Sequence, residues 1–443
     1  MAAEHTLEYG ELSDVGRRRA SNQDSKAVVE PWSRDQFRRH GWLFLVADGM
    51  GAHAAGATAS SLAAERVPQE YVQRLVSCSP PLALQSSIER ANATIYAQGS
   101  SADDLRGMGT TCTVLVVVAR GALVGHVGDS RCYRIRRGRI EQLTRDHSLA
   151  WEVEAQGPPG MEEAIPKNII TRSMGPHPEV RVDVEGPLPV EEEDVFVLCS
   201  DGLSGQVADE EIGLLAGNLA PQEATAALVG LALVRGAPDN VTVIVARAGR
   251  KEVSQASPDD EPWPLTETRS EPAARRTLPW PWLVMAGVGF LTGLVSLSFT
   301  GLLRTEGESS APDSLARAVA LVSAIASLAA FVVGLAAAIF SALNKGAGGG
   351  AVLPLGQRLG EGPYRAYDCA VTEPLLEGIV ASVETAADGL PDETRVRLLE
   401  AVAKARVAIR SRDFSAAITA AAAAIGGYRV AVEAARRDDA TPA

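Results

Sequence analysis

The sequence predicts a layered α/β sandwich over its first 250 residues, followed by a two-helix transmembrane hairpin and a small C-terminal helical bundle. Three observations predict this. Strand-like and helical runs come in blocks instead of a regular βαβα alternation, which favours antiparallel sheets with helices packed outside. Cys112 to Ala119 and Ala122 to Val127 are β-branched runs joined by a tight turn at Arg120-Gly121, an antiparallel hairpin. Trp280 to Leu303 and Ala318 to Leu343 are almost wholly apolar and, at ~1.5 Å per residue, long enough for a ~30 Å hydrocarbon core.

Along the first domain, strand signals fall at Trp42 to Ala47, Cys112 to Ala119, Ala122 to Val127, Cys132 to Arg136, Ile140 to Leu143, Asn168 to Thr171, Val195 to Cys199 and Val241 to Ala246. Helical patterns cover Ala54 to Val76, Leu82 to Ala97, Glu210 to Ala216 and Glu223 to Arg235. Residues 251–277, rich in Pro and acidic side chains, read as a disordered linker. The hairpin occupies 278–345 and a Gly-rich flexible stretch occupies 346–368. An Ala-rich bundle follows at 369–437, with breaks at Gly389-Leu390-Pro391 and Ser411-Arg412-Asp413.

The balance of 55 acidic against 42 basic residues, a formal charge of −13 over 443 residues, argues against nucleic acid as partner, since phosphate neutralisation needs clustered Lys and Arg. Five cysteines with no CxxC spacing read as reduced core residues. Met1 to Ser13 has no apolar h-region, so the first domain is expected in the cytoplasm. Arg275 and Arg276 before the hairpin and Lys345 and Arg358 after it favour both ends inside, giving a multi-pass protein of the plasma (inner) membrane with a cytoplasmic tail. Gly289 and Gly293 form a small-xxx-small pair that allows close helix contact, within the hairpin or between chains.

The chemistry is carried by four aspartates in separate short signatures: Asp24 in Asn22-Gln23-Asp24, Asp48 in Asp48-Gly49-Met50-Gly51, Asp201 in Ser200-Asp201-Gly202 and Asp239 in Asp239-Asn240-Val241-Thr242. The last three flank apolar strand-like runs, so their carboxylates are expected at strand ends. Dispersed carboxylates without His or Cys partners suit hard divalent cations such as Mg²⁺ or Mn²⁺ and disfavour zinc. A pair of such ions activates water for attack on phosphorus without a covalent nucleophile. Arg19, just upstream of Asp24, supplies the planar fork that binds phosphoryl oxygens. Arg131 to Arg139 reads as a basic rim that could guide acidic substrates.

Arg19-Ala20-Ser21-Asn22-Gln23-Asp24, Asp48-Gly49-Met50-Gly51, Gly109-Thr110-Thr111, Gly128-Asp129-Ser130-Arg131, Asp146-His147-Ser148, Ile170-Thr171-Arg172-Ser173-Met174-Gly175, Ser200-Asp201-Gly202-Leu203 and Asp239-Asn240-Val241-Thr242 occur in the order found in the metal-dependent PP2C-type Ser/Thr protein phosphatases. The chain resembles their bacterial branch over about its first 247 residues. The resemblance implies two central antiparallel β-sheets flanked by helices, with the metals in a cleft at one edge. Asp48, the Gly49 carbonyl, Asp201 and Asp239 would hold two Mn²⁺ or Mg²⁺ ions, with Asp24 acting through bound water. Asp129 would join a third, looser ion, and Arg19 would grip the substrate phosphate. Ala150 to Lys167 corresponds to a mobile flap. The chain departs from the usual pattern at Gly51-Ala52-His53 and Gly56-Ala57, while the metal-ligand positions stand.

The resulting expectation is a membrane-tethered phosphatase acting on phosphorylated proteins, with bacterial Ser/Thr kinases and their substrates as partners, and with oligomerisation through the hairpin or tail. The alternative is a pseudo-phosphatase or partner-switching regulator that binds phosphoproteins without turnover.

Overall fold

The computed structural model describes residues 7–51, 54–156, 166, 169–249, 260–266, 280–305, 311–344 and 351–439. The strands are β1 (Leu7–Asp14), β2 (Asp24–Val29), β3 (Trp42–Met50), β4 (Gly109–Thr110), β5 (Cys112–Val118), β6 (Gly121–Val127), β7 (Arg131–Arg136), β8 (Arg139–Gln142), β9 (Asp183–Leu188), β10 (Val195–Cys199), β11 (Val241–Ala248), β12 (Trp263–Pro264), β13 (Val352–Leu353) and β14 (Arg365–Asp368). The helices are α1 (Arg34–His40), α2 (Ala55–Arg74), α3 (Pro80–Ser101), α4 (Leu149–Gln156), α5 (Asp201–Ser204), α6 (Asp209–Asn218), α7 (Pro221–Val234), α8 (Trp280–Thr305), α9 (Ala311–Asn344), α10 (Glu373–Ala387), α11 (Asp392–Arg410) and α12 (Phe414–Asp439).

Two antiparallel sheets face each other, one in the order β1-β11-β10-β7-β8-β14 and the other β2-β3-β5-β6-β9, with β4 paired to β3. The period-two alternation of strand side chains makes the layers. Trp42, Phe44 and Val46 of β3 meet Phe196 and Leu198 of β10 and Ile244 of β11 between the sheets. Leu43, Leu45 and Ala47 point the other way, under α2 and α3. Val195, Val197, Val243 and Val245 point outward from the first sheet, under α6 and α7. Because both faces are covered, these strands read as continuous apolar runs in the sequence.

Residues 1–265 and 352–443 form one compact unit and residues 266–351 another. The packing therefore does not divide the chain at residue 250. Leu376, Ile379, Leu398, Val402, Ile418 and Ile425 of α10, α11 and α12 share a core with Leu228 and Leu231 of α7, and β14 extends the first sheet by pairing with β8. The linker expectation is corrected in part. Asp260 pairs with Arg120 at 3.3 Å, the Arg120 guanidinium lies 4.8 Å from the centre of the Trp263 ring, and β12 pairs with β13. A lone tryptophan with an acidic neighbour is enough to dock a Pro-rich stretch that lacks periodicity. The Gly-rich stretch is likewise placed from residue 351 onward, with Leu359 bridged to Gly186 and the Gly362 N–H donating to Glu185 at 3.0 Å.

The expected strand at Asn168 to Thr171 is reduced to a single bridge between Ile170 and Ser148, and Asn168 lies outside the described residues. The start of the expected flap is helix α4, while Gly157-Pro158-Pro159-Gly160 lies outside the described residues, as do Ala52 and His53. The expected basic rim is largely neutralised: Arg131 pairs with Asp146, Arg134 with Glu141, Arg136 with Asp194 and Glu191, and Arg137 with Glu191.

In the second unit α8 and α9 pack against each other. A β-carbon on Gly289 would stand 2.8 Å from the Phe331 nitrogen and 2.9 Å from the Ser327 carbonyl, so this glycine serves contact inside the pair. Thr292 bonds the Ser327 hydroxyl at 2.9 Å, and the Phe290 and Phe331 rings lie 5.8 Å apart. Among the described residues, one helical stretch, Phe414–Arg437, is long and apolar enough to cross a membrane, and its Ile418, Ile425 and Tyr428 are buried in the core of the first unit. The described apolar stretches of α8 and α9 are the shorter Val284–Val295 and Leu321–Ala336.

Candidate metal centre

The two sheets bring the four aspartates to one end of the sandwich. In the β2–β3 ladder Asp24 stands opposite Asp48. Asp48 is held by its backbone: its N–H donates to the Thr111 hydroxyl at 2.8 Å, and its carbonyl accepts from the Thr111 N–H and the Thr110 hydroxyl, each at 2.9 Å. In the facing sheet Asp201 opens α5 directly after β10, and Asp239 precedes β11, the strand paired with β10. The turn carrying Asp201 packs tightly on the Asp239-Asn240 turn. A β-carbon at Gly202 would stand 1.9 Å from the Asn240 carbonyl, so only glycine fits there.

The Asp24 Oδ2 joins the sheets, accepting from the Ser200 hydroxyl at 2.8 Å and the Thr242 hydroxyl at 2.7 Å. Those hydroxyls are themselves fixed, since Ser200 Oγ accepts the Thr242 N–H at 3.0 Å and Thr242 Oγ1 bonds the Ser13 hydroxyl at 2.7 Å. Asn240 ties the preceding loop: its amide donates to the Val15 and Ser21 carbonyls at 2.9 and 3.0 Å, and its oxygen accepts the Gln23 N–H at 2.8 Å. Ser200, Thr242 and Asn240 lie inside the sequence signatures, but sequence reading gave them no role. Their adjacency to the aspartates was the available signal.

Asp129 lies in the turn between β6 and β7 and is 7% exposed. Its neighbour Gly128 donates its N–H to His147 Nδ1 at 2.9 Å, and His147 Nε2 bonds Asp183 at 2.9 Å, so His147 acts in packing and support. Burial keeps His147 below its usual range, with Arg172 adding to that effect. Arg19 donates to Asp239 Oδ2 at 2.6 Å while its side chain stays 53% exposed.

The electrostatics are those of carboxylates crowded without cations. Burial first, then the charges of Asp24, Asp201 and Asp129, hold Asp48 well above its ordinary carboxylate value. Asp24 is pushed up to about 6, chiefly by burial, against the favourable hydroxyls of Thr242 and Ser200. Asp129 is pushed up to about 8 by burial and the nearby Asp201 and Asp146 charges, and Asp201 is also raised by burial. Asp24 Oδ1, Asp129 Oδ1 and Asp201 Oδ1 are buried without a hydrogen-bond partner. A buried carboxylate oxygen without a donor is costly unless a cation or water meets it.

These residues fit hard divalent ions. Among the described residues no group of three His, Cys, Asp or Glu side chains makes a ready-made metal cage. Mg²⁺-like ions keep several waters and take only one or two carboxylates each, so the donor set agrees with such ions and not with an all-protein site.

A family model for protein phosphatase 2C matches residues 17–229. A putative protein phosphatase 2C-type protein of Streptococcus pyogenes is 32% identical over 247 residues, covering 54% of this chain and 97% of that protein. The serine/threonine protein phosphatase PstP of Mycobacterium tuberculosis is 36% identical over 261 residues, covering 57% of this chain and 47% of that protein. A crystal structure of the catalytic domain of PstP in complex with two manganese ions aligns at 34% identity with a TM-score of 0.48, covering 55% of this chain and 99% of that one. With a relative of this identity matched over nearly its whole length, the chain belongs to the protein phosphatase 2C family and is a metal-dependent serine/threonine protein phosphatase.

Proposed function

We propose that this chain removes phosphate from phosphoserine and phosphothreonine of proteins, using two Mn²⁺ or Mg²⁺ ions at the aspartate cluster, from the cytoplasmic face of a membrane. The observation that carries the reading is the convergence of Asp24, Asp48, Asp129 and Asp201, with buried oxygens that no protein donor meets. Asp48, the Gly49 carbonyl, Asp201 and Asp239 would hold the two ions, and Asp129 would hold a third. Such a pair would supply an activated water and offset phosphoryl charge.

The chain's own groups do the rest. Ser200 and Thr242 fix Asp24 through Oδ2, which leaves Oδ1 to orient water by accepting its proton. Arg19 is anchored to Asp239 by one nitrogen, and the exposed remainder of its fork is suited to a phosphate monoester. Phosphorylated proteins are the substrates, with membrane-bound bacterial Ser/Thr kinases and their targets as counterparts that a tether would bring to high effective concentration.

The tether is the α8–α9 pair. Its 26 and 34 residues exceed the ~20 needed for a span. Val288, Phe290, Leu291, Val322, Ile325 and Leu328 are each more than half exposed, apolar surface that lipid would cover.

The full chain in detergent should release phosphate from a phosphothreonine peptide with Mn²⁺ and not with EDTA. Asp201→Asn should lower turnover by at least about 100-fold, since losing even a partner that supports a metal ligand costs about 10- to 100-fold. Turnover that survives both treatments would sink the two-metal reading.

The raised carboxylates set a pH dependence. Between the unfolded carboxylate range near pH 4 and the folded values of about 6 for Asp24 and about 8 for Asp129, the metal-free folded state holds protons that the unfolded chain has lost. Stability of the metal-free protein therefore falls as pH rises through that window, and ions replace the protons. Saturating Mn²⁺ should raise the thermal midpoint more at about pH 8 than at about pH 5.5. An equal gain at both would contradict the assignment.

In cell fractionation the chain should stay in carbonate-washed membranes, and deletion of residues 280–344 should release it. Release of the intact chain by carbonate would exclude a spanning hairpin.

A further inference from the structure

The segment that carries Arg19 leaves β1 at Asp14 and enters β2 at Asp24. Its inner side rests on the metal-site turn. Asn240 ties Val15, Ser21 and Gln23, and the Arg17 N–H donates to the Ala237 carbonyl at 2.8 Å. Gly16 sits at φ +73°, where a β-carbon would stand 1.9 Å from the Asp239 carbonyl, so the loop lies directly on the backbone of a proposed metal ligand.

The outer side of the same loop is gripped by the far end of α12. Arg436 Nη1 donates to both Asp14 carboxylate oxygens at 3.0 and 3.1 Å, and its Nη2 donates to the Gly16 carbonyl at 2.6 Å. The Tyr428 hydroxyl, on a residue only 2% exposed, accepts from Arg17 Nη1 at 2.9 Å. Asp14 also accepts the Gly16 N–H at 2.8 Å, so one carboxylate links the strand end, the turn and the tail helix.

The apolar docking of α12 does not need these bonds, because Ile418, Ala421 and Ile425 are already buried in the core shared with α7. A basic residue in the last turn also favours a helix end, but that requires no partner on the loop. Nor is the loop wedged by packing. A cavity of about 630 Å³ opens between it and the tail, lined by Arg17, Leu390, Pro391, Tyr428 and Arg436 among others. Polar contacts, not packing, fix the outer side of the loop.

We infer that Arg436 and Tyr428 are positioning residues for phosphate binding: from the C-terminal helix they lock the loop between β1 and β2, so that Arg19 presents its guanidinium to the substrate. The inference rests on the reading of Arg19 as the phosphate-binding residue. Arg19 has a long side chain whose guanidinium bonds Asp239 at 2.6 Å, so its aim toward a phosphate depends on the loop that carries it.

The test is a double-mutant cycle on the full chain in detergent with Mn²⁺, following steady-state kinetics on a phosphothreonine peptide. Arg436→Ala should raise KM about 3- to 10-fold with kcat changed less than about twofold, Arg436→Lys should fall between it and the unaltered chain, and in an Arg19→Ala background Arg436→Ala should have no further effect. The same loss in both backgrounds, or no loss in a folded Arg436→Ala protein, overturns the inference. If Arg436→Ala does not fold, Tyr428→Phe, which deletes a single hydroxyl, should raise KM by about 2-fold and lose that effect without Arg19. An equal effect with and without Arg19, or none in either, again overturns it. Should Arg19→Ala alone leave kcat/KM unchanged, the phosphate-binding reading fails first, an outcome distinct from a cycle that is merely additive.

Discussion

Carboxylates crowded at one end of a β-sandwich dominate this molecule. Two unit charges 4 Å apart repel by about 4 kcal/mol at an effective dielectric of 20, and burial adds to that. Asp48 is driven well above its ordinary carboxylate value by burial and by these neighbouring charges, and Asp24 and Asp129 are driven upward in the same way. The arrangement is unfavourable for a chain standing alone, and divalent ions at the proposed site would relieve it. The conflict between local stability and placement is thus concentrated where the chemistry is, as expected of a functional site.

The rest of the fold makes that crowding possible. Strands buried on both faces cannot slip in register without moving large apolar side chains between layers, so Asp48 at the end of β3 and Asp201 after β10 are placed by Phe44, Val46, Phe196 and Leu198 between the sheets. Hydroxyls then set the orientation. Ser200 and Thr242 reach from one sheet to Asp24 on the other, and the Thr111 hydroxyl, between β4 and β5, accepts the Asp48 N–H. The tail adds a further layer. By pairing β14 with β8 and laying α12 on α7, it brings a segment more than 400 residues away in sequence onto the loop beside the proposed metal site.

Much of this is legible in the residues themselves. The central strands announce themselves because burial on both faces demands unbroken Val, Leu and Ile, and Asp48, Asp201 and Asp239 stand out because each adjoins such a run or a glycine turn. β1, β2, β9 and β14 escape notice because one side of each meets solvent or a neighbouring polar group, leaving sequences such as Leu-Glu-Tyr-Gly-Glu-Leu-Ser-Asp without a clear pattern. The arginines of β7 read as a basic rim, yet they are matched by Asp146, Glu141, Asp194 and Glu191 from adjoining strands and turns, and pairing across a fold leaves no trace in local spacing. The same holds for Arg436 and Asp14. The amphipathic pattern of α12 reveals an apolar face but not which surface receives it.

The central claim is that the aspartate cluster is built around a pair of hard cations. Anomalous diffraction at the manganese edge, from crystals of the chain grown with Mn²⁺, tests it most directly. Two peaks about 3.5–4 Å apart between Asp48, Asp201 and Asp239 are expected. Peaks absent from those carboxylates, in protein that still hydrolyses phosphothreonine, would contradict it.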